Sequence, residues 1–324
     1  MAFLATENEL TWEGAAGAPL AGTLTLPASG GRAPALLLIQ GSGPTDRDGN
    51  QRPHLVTDLL KDLAHLLAGF GIASLRCDKR GMGAVAASLP KAEPDLAVFV
   101  GWDRFVGDAQ RSLAMLAGQP GVDRARVGIL GHSEGGLIAL DLAAGGLAHP
   151  AMLILAATTG RPIAAVLRDQ IARLARQQGA PETAVVAILA ENDRILARLV
   201  AGEGYPEAIH PGLAALYPPY LRHYWEGFAS RDPADLAGRC PCPILVLSGS
   251  ADVQVLADRD VPALEAALIR RAAERGRPYR VALLAGASHN LKPVSGPDDP
   301  GLSGPLHSDV ASSLGTWFRD QGWA

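Results

Sequence analysis

The sequence contains the stretch Gly131-His132-Ser133-Glu134-Gly135-Gly136, which follows the apolar run 127–130 and precedes the helix-like segment 137–142. A Gly-x-Ser-x-Gly pattern between a strand and a helix is the sequence form of a nucleophile elbow. A serine on such a sharp turn has a strained backbone, and the flanking glycines remove Cβ atoms that would collide. A chance match is the alternative in a chain with 37 glycines. The strand before the pattern and the helix after it favour Ser133 as a catalytic nucleophile.

A base and an acid for this serine follow two later apolar runs. Asp252 comes after run 244–247, and His289 comes after run 281–284. Reacting groups in parallel sheets gather at the carboxyl ends of the strands, so these side chains are expected near Ser133. The serine hydroxyl needs a base to take its proton, and the base needs an acid to hold its tautomer. We predict His289 as the base and Asp252 as the acid.

Other aspartates and histidines lie in less suitable places and remain alternatives. Asp258 and Asp260 fall further into the next helix, where we expect them to cap or solvate it. His307 precedes the last helix and is expected at the surface. Five further histidines have no strand end before them, namely His54, His65, His149, His210 and His223.

The oxyanion of the reaction is expected to be bound by two backbone N–H groups. One belongs to Glu134, directly after the serine, and the other to the loop after the apolar run 35–39. Within Gly41-Ser42-Gly43 we favour the N–H of Ser42, with Gly41 as the neighbouring candidate. A plain glycine-rich turn is the alternative for this loop.

Apolar runs of strand length alternate with helical patterns over most of the chain, which predicts an α/β fold with a mostly parallel, doubly wound sheet. The runs 10–13 and 20–26 predict an antiparallel hairpin before it. A helix is expected over 54–70, and a polar excursion over 84–101. No strand is predicted over 161–239, where helical patterns cover 163–178, 181–199 and 214–228. We assign 1–160 and 237–324 to the core and 161–236 to a helical cap.

Three other patterns imitate known binding sites. Gly81-x-Gly83-x-x-Ala86 resembles a dinucleotide fingerprint, but charged residues separate it from the strand and no convincing helix follows. Asp46-Arg47-Asp48 has the spacing of a calcium loop without its distal Glu, and we expect this cluster to pair within itself. Cys240-Pro241-Cys242 lacks Cys-x-x-Cys spacing. We therefore expect no metal site and no cofactor.

Composition argues against several classes of function. A net charge of -4 and a pI near 6.1 give no electrostatic reason to bind nucleic acid or an anionic membrane. The amino terminus lacks the basic and apolar regions of a signal peptide, and no apolar run is long enough to span a membrane. Three cysteines favour a reducing compartment. We expect a cytoplasmic protein that binds a small-molecule ester, with a homodimer as an open alternative.

These motifs together resemble the α/β-hydrolase superfamily over nearly the whole chain, and most of all bacterial serine hydrolases of the esterase or S9/S33-type peptidase-like branch. The resemblance implies that Ser133 is the nucleophile, Asp252 the acid, His289 the base and segment 161–236 a substrate-gating cap. Gln40 departs from the family, since many relatives have His before this glycine. A serine at the elbow also argues against dehalogenases and epoxide hydrolases, whose relatives use Asp there. The likeness rests on the loop 40–50, Asp78-Lys79-Arg80-Gly81, the elbow, Ser250-Ala251-Asp252 and Ser288-His289.

Three functions are compatible with these residues. The first is a carboxylesterase-type serine hydrolase that works through an acyl-enzyme. The second is an aminopeptidase or acyl-peptidase with the same triad, which needs an acidic group for the substrate amine, such as Glu203, Glu207 or Glu226 in the cap. The third is a protein of this fold that binds a ligand without turnover. The presence of every catalytic residue type favours the first two over the third.

Overall fold

A computed structural model describes residues 5–28, 30–296 and 299–324 and places one β-sheet at the centre of the chain. Within these ranges the strands are Ala5–Glu13 (β1), Pro19–Pro27 (β2), Ala33–Ile39 (β3), Ala73–Cys77 (β4), Val122–His132 (β5), Leu153–Ala156 (β6), Ile244–Gly249 (β7) and Tyr279–Leu284 (β8). Their order across the sheet is β1-β2-β4-β3-β5-β6-β7-β8. β1 pairs with β2, and β2 with β4, in antiparallel fashion, and all other pairs are parallel. The predicted hairpin and the mostly parallel sheet are confirmed.

Helices cover both faces of this sheet. They are Leu59–Gly69 (α1), Glu93–Phe99 (α2), Trp102–Ala117 (α3), Glu134–Ala144 (α4), Ile163–Gln177 (α5), Glu182–Val200 (α6), Pro211–Ala214 (α7), Arg222–Ala229 (α8), Pro233–Arg239 (α9), Ala257–Arg275 (α10) and Ser308–Asp320 (α11). Successive strand residues point to opposite faces, so Leu37 packs in a core with α3 and α4, whereas Leu36 and Leu38 pack with α1 and α11. This double cover explains why the central strands read as continuous apolar runs.

Three predicted elements differ in the structure. The first helix begins at Leu59 and not at 54, because the Asn50 side chain accepts the N–H groups of Thr57 and Asp58 and holds them outside a helix. The polar excursion contains helix α2. The predicted helix 214–228 is interrupted at 218–219 by two prolines, which lack the N–H groups that a helix needs.

Segment 161–236 lies between β6 and β7 and contains helices and turns but no strand, and all of its residues are described. Trp102 of α3 stacks on Phe228 of α8 with ring centroids 5.0 Å apart, which joins the segment to the core. Helix α9 crosses the predicted boundary at 236 and packs against α4 and α10. The division into core and cap domains stays a prediction.

Candidate active site

Ser133 stands at the turn between β5 and α4 with a backbone conformation that is rare for a residue with a side chain. Its φ is 54° and its ψ is −118°. A Cβ atom at Gly131 would overlap the carbonyl oxygen of Gly135, and a Cβ at Gly135 would overlap that of Ile39. Glycine is therefore required at both positions for the chain to turn this sharply beside β3. The strand, the strained serine and the helix follow one another as the sequence predicts.

Asp252 and His289 meet beyond the ends of β7 and β8. The distance between His289 Nδ1 and Asp252 Oδ2 is 2.7 Å, and both residues are buried. The other carboxylate oxygen of Asp252 accepts the N–H groups of Gln254 and Val255. These bonds fix the carboxylate against the Nδ1 side of the ring, which leaves Nε2 as the nitrogen that can take a proton from a hydroxyl.

Ser133 and His289 line the same cavity. No hydrogen bond between the Ser133 hydroxyl and the His289 ring is found among the described residues, although hydrogen bonds of this kind often form only with substrate bound. The structure thus pairs the predicted acid with the predicted base, and puts the predicted nucleophile in the same cavity as the base. The roles of the three residues stay predictions.

His132 also contacts the candidate base, and sequence reasoning gave it no role. Its Nε2 lies 2.9 Å from the backbone oxygen of His289, and the two rings are 4.8 Å apart. Burial, together with the neighbouring His289, lowers the pKa of His132 to about 3. The ring is therefore neutral at physiological pH, and its N–H donates to the loop that carries His289.

The residues of the two predicted oxyanion donors belong to the wall of the same cavity. Both Ser42 and Glu134 line it, and in the described part of the chain neither backbone N–H has an acceptor within the protein. Glu134 is the first residue of α4, where the helix dipole favours a negative ligand. A Cβ at Gly41 would lie only 3.3 Å from the Ser133 side chain, so the oxyanion loop and the elbow are in close contact.

The side chain of Glu134 forms a buried cluster that sequence reasoning did not predict. Its carboxylate lies 2.9 Å from Lys79 Nζ and accepts a hydrogen bond from the Tyr224 hydroxyl of α8. Burial and the adjacent Glu134 carboxylate raise the pKa of Tyr224, which keeps the hydroxyl protonated. The only sequence signal for this cluster was the presence of Lys79 in the Asp-Lys-Arg-Gly motif.

The cavity beside Ser133 has a volume of about 420 Å³ and a mostly apolar wall. One part of the wall comes from residues outside segment 161–236, and the other part comes from that segment. Its apolar lining includes Val100, Phe105, Ile163, Val166, Leu167, Leu216, Leu221, Trp225, Phe228 and Val255. A second cleft of about 100 Å³ also reaches Ser133 and His289 and is lined by polar groups, among them Thr45, Gln51 and Asn290.

Two expectations about charged residues are wrong. Asp260 does not cap or solvate its helix: it is buried and accepts hydrogen bonds from the Thr159 hydroxyl and from the backbone and side chain of Arg161. Arg47 does not pair with its neighbouring aspartates but with Glu9 and with Asp78, 2.6 Å away. Both errors concern partners that are distant in sequence.

The three cap glutamates lie outside the cavity, whereas Gln40 lines the second cleft beside Ser133. Glu203 pairs with Arg198, Glu226 pairs with Arg222, and Glu207 is exposed, so none of these glutamates lines the cavity. Gln40, the departure from the family pattern, donates through its amide to the carbonyl of Cys77 at 3.0 Å and so joins the ends of β3 and β4.

Within the described ranges, no group of three or more acidic, cysteine or histidine side chains is placed to hold a metal ion. The cysteines Cys77, Cys240 and Cys242 are buried and free, and burial raises the pKa of Cys242 to about 11. Among the described helices, none combines the length and apolar character needed to cross a membrane.

Comparison with known proteins gives a consistent set of similarities. A family model described as serine aminopeptidase, S33, matches residues 57–199. Esterase EstD of Thermotoga maritima is 30% identical over 249 residues, which are 77% of this chain and 52% of that protein. The chain therefore spans about half the length of the curated relative it matches.

Solved structures share the fold at low sequence identity. An α/β-hydrolase named GrgF from Penicillium sp. sh18 aligns with a TM-score of 0.56 and 19% identity over 98% of both chains. An esterase of Pyrococcus furiosus aligns with a TM-score of 0.59 and 12% identity, over 99% of this chain and 91% of that one. These likenesses establish the α/β-hydrolase fold.

Proposed function

We propose that this chain, which has the α/β-hydrolase fold and is 30% identical to an esterase over 77% of its length, is a serine hydrolase that cleaves carboxylic esters through an acyl-enzyme. One observation carries the proposal. The strained Ser133 lines a cavity together with His289, whose ring is held by Asp252 at 2.7 Å. Nucleophile, base and orienting acid are thus supplied by three neighbouring loops.

In the proposed mechanism the Ser133 oxygen attacks the ester carbonyl while His289 Nε2 takes the hydroxyl proton. Asp252 holds the ring and stabilises the charge that develops on it. The N–H groups of Ser42 and Glu134 donate to the oxyanion of the tetrahedral intermediate. His289 then protonates the departing alcohol, and a water molecule attacks the acyl-enzyme by the reverse sequence. The apolar cavity receives the apolar part of the ester.

Cleavage of an amide bond by the same residues is the second candidate, and it is favoured by the aminopeptidase description of the matching family model. An aminopeptidase needs a carboxylate that binds the substrate amine. The carboxylate of Glu134 lines the cavity but is already paired with Lys79, and the cap glutamates face elsewhere. Ester cleavage needs no such group and is therefore the better-supported function.

The function is tested by Ser133→Ala with short p-nitrophenyl esters as substrates. The expected loss of kcat is about 10⁴-fold or more, by analogy with other triads. Ser312→Ala, which changes an exposed serine on α11, is the matched control and should keep full activity. Peptide p-nitroanilides measured beside the esters separate the two candidate functions.

A fluorophosphonate probe gives an independent measurement. Labelling is expected on the wild type and on Ser312→Ala and not on Ser133→Ala, with the adduct located by mass spectrometry. A folded wild-type protein that is not labelled at Ser133 would contradict the proposal and would favour a ligand-binding protein without turnover.

A further inference from the structure

Lys79 is a nearly buried cation beside the candidate active site, and its ammonium makes two short polar contacts. Its Nζ lies 2.9 Å from the carbonyl oxygen of Gly41 and 2.9 Å from Glu134 Oε1. The side chain is about 10% exposed, and its ammonium lies 5.1 Å from the centre of the Phe105 ring. Desolvation of a lysine is costly, so these partners must hold it in one position.

The contact with the Gly41 carbonyl acts on the peptide group whose N–H, that of Ser42, is one of the two predicted oxyanion donors. The carbonyl of Gly41 and the N–H of Ser42 belong to one planar trans peptide, so they point in opposite directions. An ammonium that holds the carbonyl therefore also fixes the direction of the N–H. The positive charge on the carbonyl side further polarises the peptide and strengthens its N–H as a donor.

The contact with the Glu134 carboxylate acts on the residue whose backbone N–H is the other predicted oxyanion donor. The backbone N–H of Glu134 starts α4, and its side chain is held by Lys79 from one side and by the Tyr224 hydroxyl from the other. A single ammonium thus joins the residues of both predicted donors, which come from loops on different strands. No other side chain among the described residues hydrogen-bonds to both Gly41 and Glu134.

From this geometry we propose that Lys79 is a positioning residue of the oxyanion hole. The proposal rests on the proposed function, since an oxyanion forms only if Ser133 attacks a carbonyl. Lys79 acts through the Gly41–Ser42 peptide and through Glu134, and among the described residues its ammonium hydrogen-bonds to neither the nucleophile nor the base. Its loss should therefore weaken binding of the transition state more than binding of the substrate.

The kinetic test compares Lys79→Met with Lys79→Arg. In Lys79→Met we expect kcat to fall about 10- to 100-fold with KM within about twofold of the wild type, which is less than the loss of a whole donor. Lys79→Arg keeps a charged donor and should recover part of this loss. Arg271→Met is the control, since Arg271 is a buried cation that donates to the carbonyls of Cys242 and Pro278 outside the cavity. It should lower the Tm and leave kcat unchanged.

Two further measurements distinguish positioning from a structural role. The Ki of a trifluoromethyl ketone, which forms a tetrahedral adduct with an oxyanion, should rise in Lys79→Met by the same factor by which kcat falls. A crystal structure of Lys79→Met should show the Gly41–Ser42 peptide rotated from its wild-type orientation. This structural readout needs no turnover.

The outcomes that overturn the proposal are separate from those that overturn the hydrolase function. A folded Lys79→Met with unchanged kcat, an unmoved Gly41–Ser42 peptide, or an equal loss in Lys79→Arg would each refute it. If Lys79→Met does not fold, Lys79→Gln is judged by the same criteria, and failure of both to fold makes Lys79 a structural residue and refutes the proposal. An unlabelled wild-type Ser133 refutes the hydrolase function instead, while the peptide orientation still decides the role of Lys79.

Discussion

At the scale of single residues, the backbone geometry around Ser133 determines where the candidate nucleophile stands. Ser133 has a positive φ that glycine adopts easily and serine does not, and Gly131 and Gly135, two residues away on either side, have no side chains that would collide at this turn. The elbow can form only where Gly131 and Gly135 let α4 pass close to β3 and β5. This steric requirement is local, and it is the reason that the motif can be recognised in the sequence.

Substitution of Gly131 tests this requirement. Gly131→Ala places a Cβ against the carbonyl of Gly135, so we expect a loss of about 1–3 kcal/mol in the free energy of unfolding and a larger loss of activity. Gly238→Ala is the control, because a Cβ there meets only Ala267 at 3.9 Å. Urea unfolding with a matched ester assay measures both effects, and equal stability of the two variants would contradict the argument.

At the scale of elements, the attachment of segment 161–236 depends on a contact between α10 and the loop after β6. Asp260 of α10 accepts the Gly160 N–H at 3.0 Å and pairs with Arg161 at 2.8 Å. Arg161 also pairs with Asp169 on α5. These bonds fix the direction in which the chain leaves the core and enters α5, whose residues line the cavity.

Removal of the Asp260 carboxylate is expected to weaken this attachment. Asp260→Ala leaves buried donors without acceptors, and we expect a loss on the order of 2 kcal/mol in the free energy of unfolding. Asp258→Ala, an exposed aspartate in the same turn of α10, should change stability by less than about 0.5 kcal/mol. Thermal unfolding of both variants checks the difference, and a similar Tm for the two would show that Asp260 has no such role.

At the scale of the whole molecule, the two sides of the site are carried by distant parts of the chain that meet at one edge of the sheet. His132 and His289 are separated by 157 residues in sequence and are bonded through His132 Nε2 and the His289 carbonyl. Because His132 is buried and neutral, its protonation in acid is expected to destabilise the fold where these two parts of the chain meet.

The pH dependence of stability follows from the lowered pKa of His132. The pKa is about 3 in the folded state and about 6.5 in an unfolded chain, so between these values the unfolded chain binds a proton that the native state excludes. Stability should fall as the pH falls from about 6.5 towards 3, by up to about 1.4 kcal/mol per pH unit from this residue. His132→Gln removes this contribution, so urea unfolding from pH 7 to pH 5 should show a shallower dependence. Parallel curves for the two proteins would refute the assignment.

Much of the fold and the core of the site were predictable from the sequence. Each strand that precedes a candidate catalytic residue contains an apolar run, and Ser133, Asp252 and His289 lie on the loops that follow β5, β7 and β8. Helix boundaries were less predictable where a side chain from elsewhere binds backbone N–H groups and keeps residues with a helical apolar spacing out of the helix, as Asn50 does before α1. The prolines at 218–219 were visible in the sequence, but the apolar period alone predicted a helix through them.

The sequence by itself determined the elbow and the order of the candidate nucleophile, acid and base, because these depend on local steric rules and on the alternation of strands and helices. Only the tertiary structure decided that Lys79 joins Gly41 to Glu134, that His132 bonds to the loop of His289, and that Asp260 is buried. The physical reason is that such contacts depend on the register in which strands distant in sequence pair with one another. Lys79 and Glu134 are 55 residues apart, and their contact depends on how β4 and β5 align beside β3, which no local pattern encodes.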